Sequence, residues 1–353
     1  MDVKRGGVML ARSLVLVGLG LFTLAFAEGR VISILDPGTA YNREVSRLLV
    51  WVMWFAAFVS IVVIGALIYT VVKFRKRPGQ EGEPPQIHGN DRLEVWWTAI
   101  PLVIVLVIFG LTAQSLVRLS KPPLDAMKIE VTGHQFWWDF NYPELGIRNS
   151  NELIVPVGKP VHLVVTSVDV IHSFWAASLV GKQDAIPGVK INLSFTPEKE
   201  GNYYGQCAEL CGASHSNMRF RVLVVSQEQF DRFVAGAKNF QPPALADANT
   251  QKGETLFQQN CASCHTVKGT ASQGKIGPDL SFYGNRTTLG SGIWEGKDKD
   301  ALLEAWIRNS PGVKPGSKMP PFPGLKDEDV KAIASYLNGL KIEGLDFSKL
   351  PKF

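Results

Sequence analysis

Two stretches of this chain carry no formal charge for as long as a bilayer is thick. Leu48 to Val72 is one and Trp96 to Leu116 is the other. About 20 apolar residues in a helix span the hydrocarbon core. In lipid the backbone must satisfy its own hydrogen bonds, so such runs predict membrane-spanning helices. Pro101 inside the second run predicts a kink. The segment between them carries Lys73, Arg75, Lys76, Arg77 and Arg92. Positive loops stay on the cytoplasmic side, so the hairpin turns inside and everything after about residue 117 is exported. Residues 1–27 point the same way: Lys4, Arg5 and Arg12, an apolar stretch, then Ala25-Phe26-Ala27. That is the layout of a secretory signal, with an uncleaved first membrane helix as the alternative.

Beyond the hairpin (residues 28–122) the pattern changes twice. Within residues 123–238, "KIEVTG", "ELIVPV", "PVHLVVTS", "KINLSFTP" and "FRVLVVS" are short, β-branched and punctuated by Gly, Pro and Asn. They predict an all-β domain, an antiparallel sandwich or barrel, closed by a helix that Ser226 caps. "NFQPPALADAN", residues 239–249, reads as a linker. Residues 250–353 read as a helical domain. Gly253, Phe257 and Cys261 share one helix face, Val330, Ile333, Ala334 and Leu337 another, and Asp327 stands where a cap would. The net charge of +5 is not gathered into basic runs with interleaved aromatics, which excludes nucleic acid as a partner.

All 4 cysteines lie in two clusters on the exported side. "CASCH", residues 261–265, is the attachment signature of a covalent c-type haem. Cys261 and Cys264 would form the thioethers and His265 would ligate the iron. A disulfide, a redox pair or half a zinc site are the alternatives, but no other Cys or His follows His265. Met319 is the one methionine after the motif, which nominates it as the second axial ligand. The carbonyl of Pro278 is placed to fix the His265 ring.

"CAELCGASHSNM", residues 207–218, holds Cys207, Cys211, His215 and Met218 in one loop, and His172 ends a strand upstream. Thiolate, imidazole and a weak thioether are the donors of copper electron-transfer sites. A single such copper needs one cysteine, so the second means a disulfide, zinc or a second metal ion.

"TSVDVIHSFW", "DAIPG" and "YYGQCAELCGASHSNM", with "LEVWWTAIP" and "GHQFWWDFNYP", resemble cytochrome c oxidase subunit II over nearly the whole chain from about residue 40. The helical remainder is similar to small c-type cytochromes and matches the bacterial branch with a fused cytochrome, the caa3-type oxidases. The resemblance implies a two-helix membrane hairpin, a cupredoxin domain and an all-α cytochrome domain. It implies a dinuclear copper A centre bridged by Cys207 and Cys211, with His172 and Met218 on one side and His215 and the Glu209 carbonyl on the other. It places the Glu209 carboxylate towards a magnesium site shared with subunit I. It assigns Glu94 to the mouth of a proton channel and Trp137 and Trp138 to the electron path. Many relatives have Trp where this chain has Phe136, the port of an external donor. His88, His134 and His162 are read as bystanders. The implied partners are subunits I and III, an upstream cytochrome c or quinol–cytochrome c reductase, and the membrane. The implied activity is reduction of oxygen to water with proton pumping, fed by electrons from haem c through copper. A nitric oxide reductase with the same copper domain, or a tethered carrier without catalytic partner, are the rival readings. A quinol oxidase subunit lacks the copper ligands.

Overall fold

The structure is a computed structural model that describes residues 36–353, apart from 80, 81, 84, 85, 87, 88, 121, 122, 124, 245 and 246. The signal-like residues 1–27 and His88 lie outside the described residues.

Helix α1 (Ala40–Lys73) and helix α2 (Asp91–Leu119) contain the two apolar runs. At about 1.5 Å per residue, α1 is longer than the roughly 30 Å hydrocarbon core requires. Its first turn is tied to the β-domain instead. The Gly38 N–H donates to Ser178 O at 2.7 Å, Thr39 Oγ1 to Leu179 O at 2.5 Å, and Asn42 Nδ2 to Ala177 O. Arg43 pairs with Glu198. The helices meet at this same end, where Ser115 Oγ donates to Glu44 at 2.8 Å. The outer faces of both helices are apolar and exposed, as lipid or a partner subunit demands.

The β-domain is a sandwich of two five-stranded sheets. One has the order β3 (Ile147–Ser150), β2 (Trp137–Tyr142), β1 (Met127–His134), β5 (Val161–Ser167), β8 (Ile191–Phe195). The other runs β4 (Glu152–Pro156), β10 (Arg219–Val225), β9 (Gly201–Cys207), β6 (His172–Trp175), β7 (Gln183–Ala185). The expectation of a purely antiparallel sandwich is corrected. β1 pairs with β5, and β4 with β10, in parallel. The chain leaves the first sheet with β4 before β5 returns beside β1. Side-chain alternation reports which face is buried but not the direction of the neighbouring strand. Trp138, Phe140, Phe174 and Phe220 fill the space between the sheets, with the last two stacked at 4.4 Å.

Helix α3 (Gln227–Lys238) follows β10. Ser226 Oγ accepts from Gln229 N at 3.2 Å and the Gln229 side chain returns to Ser226 N at 3.3 Å, a capping box. The linker begins packed against the helical domain rather than as a free tether. Phe240 is buried 5.1 Å from Phe282, and Lys268 Nζ donates to the Ala237 and Lys238 carbonyls.

The helical domain packs α4 (Ala248–Asn260) across α6 (Asp327–Gly339), with α5 (Lys297–Val313) kinked at Asn309, ahead of Pro311, beside them. Gly253 is required at the crossing: a Cβ there would lie 2.0 Å from Ala332 O. The last helix is capped at Lys326, whose N–H the Asp329 side chain accepts at 3.2 Å; Asp327 sits one residue inside and pairs with Arg308 instead. A short hairpin of β11 (Thr288–Leu289) and β12 (Trp294–Glu295) faces the β-domain. Residues 351–353 then return to that domain. β6 pairs only with Gln206 and Cys207 of β9. The rest of that edge takes the returning segment through Asn202 N to Pro351 O (2.7 Å), Phe353 N to Asn202 O (3.0 Å) and Tyr204 N to Phe353 O (3.1 Å). The Phe353 ring stacks on Tyr203.

Candidate functional site

The hairpin of β9 and β10 presents the first cluster. Cys207 ends β9, Met218 precedes β10, and Cys207 N donates to Met218 O at 2.8 Å, closing the loop. Gly212, at φ +128°, lets the loop pass Phe136. His172 enters from the start of β6. The two sulphurs stand 3.8 Å apart and both thiols are free, well beyond the roughly 2.05 Å of a disulfide. His172 Nδ1 lies 3.9 Å from Cys207 Sγ, and Glu209 O lies 3.3 Å from the same sulphur. His215 Nδ1 and Met218 Sδ lie 3.7 and 3.8 Å from Cys211 Sγ. His172, Cys207, Cys211 and Met218 are buried. Two thiols, two imidazoles, a thioether and a carbonyl therefore converge around the two sulphurs. A lone tetrahedral zinc would use four of these six donors.

Charge in this cluster is graded. The Cys211 thiol donates to Cys207 and holds it far below the ordinary thiol range, at about 3, with His172 adding to the effect against burial. Cys211 moves upward for the same reason. Burial opposes protonation of His172, but Cys207 and Asp169 outweigh it and raise its pKa. Asp169 accepts from His172 Nε2, Gln135 N and Val170 N, each at 2.8 Å. Burial works against its charge, yet these donors bring it down to about 2. Such a carboxylate fixes the tautomer and ring angle of a metal-ligating imidazole.

The second cluster begins where α4 ends, at Cys261. Cys261, Cys264, His265 and Met319 line one cavity of about 420 Å³. His265 Nδ1 faces Pro278 O at 2.8 Å, as the sequence predicts, leaving Nε2 for the cavity. Burial lowers the His265 pKa, against Pro278, and so keeps the imidazole neutral. Burial pushes the Cys261 thiol up to about 12. Gly277 passes so close that a Cβ would lie 2.6 Å from the His265 ring. The donor set, the apolar wall of Leu303, Ile333 and Leu337 and the locked ring fit a covalently attached haem.

The same cavity is lined by Phe136, Trp137 and Asp169 of the β-domain. The segment that carries Met319 crosses between the domains. Lys314 Nζ donates to Phe136 O at 2.7 Å and Gly290 O at 3.1 Å. Ser214 Oγ donates to Pro315 O at 2.5 Å, Gly316 packs on the Phe136 ring, and Lys318 Nζ lies 3.5 Å from Asp169. Two further buried contacts hold the domains together. Glu152, 1% exposed, accepts four hydrogen bonds of 2.8–3.0 Å on one oxygen from Thr287 and Thr288. Arg221, 2% exposed, pairs with Glu295.

The structure thus brings together every copper-type and haem-type ligand singled out from sequence. Trp138 is a core residue, edge-on to His172 at 5.9 Å, while Trp137 stacks on His134 at 4.1 Å beside the haem cavity. Phe136 is buried under the helical domain. The bystanders have ordinary places: His162 bonds Ser194 at 2.8 Å, and burial pushes His134 down to about 4. Glu94 is exposed on α2, far along the chain from both clusters, and its carboxylate accepts from Asn90 N at 3.3 Å. At Glu209 it is the backbone carbonyl that lies against Cys207 Sγ. Asp169, Gln135 (Nε2 to Cys211 O, 2.7 Å) and Lys314 were not read from sequence. Asp169, three residues before His172, carried the one available signal.

Comparison with known proteins gives three family matches. Residues 30–115 match cytochrome c oxidase subunit II, transmembrane domain; residues 145–225 match its periplasmic domain; residues 250–341 match cytochrome c. A cytochrome c oxidase subunit 2 of Alkalihalophilus pseudofirmus is 33% identical over 340 residues, covering 94% of this chain and 97% of that one. One of Bacillus sp. (strain PS3) is 34% identical over 289 residues, covering 76% of this chain and 80% of the relative. Among solved structures, the periplasmic domain of subunit II of cytochrome oxidase of Bradyrhizobium japonicum is 34% identical, with a TM-score of 0.33, covering 33% of this chain and 97% of that one.

Proposed function

Because the chain belongs to the cytochrome c oxidase subunit II family, with a cytochrome c domain fused behind the copper-type domain, we propose that it is the electron-input subunit of a proton-pumping haem–copper oxidase, relaying electrons within itself. It is anchored in the membrane by its two helices with the β-domain outside, and subunit II implies a subunit I partner. The observation that carries the relay is the shared wall: one cavity holds Cys261, His265 and Met319 on one side and Phe136, Trp137 and Asp169 on the other.

A dinuclear copper A centre and a haem c, when bound, supply one-electron carriage with little change of geometry. Cys207, Cys211, His172, Met218, His215 and the Glu209 carbonyl would hold the two ions. Asp169 orients His172, and Pro278 orients His265. Cys261 and Cys264 would anchor the macrocycle, and His265 and Met319 would hold its iron. Trp137 and Trp138 lie on the path between, Glu94 serves proton uptake and the Glu209 carboxylate serves a magnesium site. Electrons arrive from a cytochrome c or a quinol–cytochrome c reductase and leave to subunit I, with subunit III as a further partner, for reduction of oxygen to water.

Electron paramagnetic resonance tests the dinuclear assignment. The purified complex should show hyperfine splitting shared by two copper nuclei. Cys211→Ser should abolish that sharing while covalent haem stays attached. A single-copper spectrum in the parent protein overturns the assignment. Consumption of nitric oxide rather than oxygen by the complex would favour the reductase reading.

A further inference from the structure

Lys314 is among the most deeply buried cations of the described residues. It is 2% exposed, and among the described residues no carboxylate lies within ion-pair distance of it. Buried charges are paired or they neutralise. Its ammonium has two carbonyl partners, Phe136 O in one domain and Gly290 O in the other, and an ammonium carries three donors. Burial is the main cause that brings its pKa down to about 7, with Cys211 acting against it and Arg219 in the same direction. The residue also lines the cavity that holds His265 and Met319. A cation stripped of water at the edge of that cavity lacks only an anion.

We propose that Lys314 is a positioning residue whose missing counter-ion is a carboxylate of the haem, so that seating the haem completes the contact between the two domains. This rests on the reading of residues 261–265 as a haem attachment site. A c-type haem brings two propionates, and covalent attachment through Cys261 and Cys264 fixes the orientation of its ring. A propionate on Lys314 joins the macrocycle to the Phe136 carbonyl through one ammonium. The haem edge is thereby held against Phe136 and Trp137, the wall it shares with the copper loop. Apart from the attachment cysteines Cys261 and Cys264, the other charged or titratable groups on that cavity are His134, Asp169, His265, Tyr283, Arg286 and Lys318.

The test uses the full chain in its complex and reads the potential of haem c against pH. Lys314→Gln keeps a donor for Phe136 O and removes the charge; Lys314→Arg keeps the charge. In the parent the potential should be flat between about pH 6 and 8, because an ion-paired carboxylate titrates well below that range. In Lys314→Gln the carboxylate loses its counter-ion and its pKa rises. The potential should fall and become pH-dependent, and internal transfer from haem to copper should slow by about tenfold or more. Lys314→Arg should restore the flat profile. A fall of the same size at every pH means charge acting through space alone, and an unchanged potential means carbonyl anchoring alone; either overturns the proposal. If Lys314→Gln does not fold, Lys314→Met, which keeps the apolar stem, is read in the same way. If neither folds, a parent potential that itself shifts with pH around 7 overturns it. Absence of covalent haem in the parent would instead bring down the haem reading beneath it.

Discussion

The residues that announce themselves in the sequence are those whose chemistry is local. The C-x-x-C-H run, the cysteine pair four apart and a lone late methionine are legible because ligand geometry needs short spacings. Met319 is the sharpest of these, and the structure places it in one cavity with His265. Thioether ligation raises a haem potential. Met319→Ala should therefore lower the potential of haem c and open the iron to carbon monoxide, both visible in a spectroelectrochemical titration. An unchanged spectrum would hand the position to another group, with Lys318 the nearest in sequence. What stayed illegible is charge whose partner is chosen by the fold. Asp169 looks like a loop acid and Lys314 like a surface lysine. Their meaning depends on contacts with Gln135 and Phe136, distant in the chain.

At the scale of elements, periodicity gave the helices and β-branched runs gave the strands. Two things escaped. The parallel pairings of β1 with β5 and β4 with β10 depend on which sheet the chain visits between them. The short hairpin β11–β12 has too few residues to show a period. The start of α2 shows a local role beside a proposed functional one. Asn90 Oδ1 caps Leu93 N at 3.2 Å, and the Glu94 carboxylate accepts from Asn90 N. Removing Glu94 leaves the cap in place, so Glu94→Ala should cost the hairpin well under about 1 kcal/mol. Its effect should appear in turnover: oxygen consumption slows while transfer from haem c to copper stays fast in stopped-flow traces. Equal turnover in variant and parent would leave Glu94 as a helix-end charge.

For the whole molecule, the sequence shows three parts in order and nothing of how the last sits on the second. That is set by contacts such as Glu152 with Thr287 and Thr288, and Arg221 with Glu295. In sequence these are one acid, two threonines and one ion pair among many. Buried and paired, they make the helical domain a fixed neighbour, and Phe136 is covered by it. Truncation after Lys238 should remove covalent haem, keep the copper spectrum, because all its ligands precede the cut, and sharply slow oxidation of the physiological donor. Glu152 and Arg221 would then meet water, which solvates both charges. A truncated complex that accepts electrons from that donor at the full-length rate would make the fused cytochrome an accessory. In the full chain, copper reduction should not depend on protein concentration, since the donor is held at its acceptor.

The return of residues 351–353 to the edge of β9 has a kinematic consequence. The helical domain leaves the sandwich at α3 and comes back to it at Asn202, so it is pinned at both of its ends. A body hung from one pivot can turn about any axis. Hung from two, it can only swing about the line that joins them, like a gate on its hinges. The grip of Thr287 and Thr288 on Glu152, well apart in the chain from either pin, acts as a latch against that swing. The distance from haem pocket to copper loop is then set by mechanical constraint rather than by diffusion.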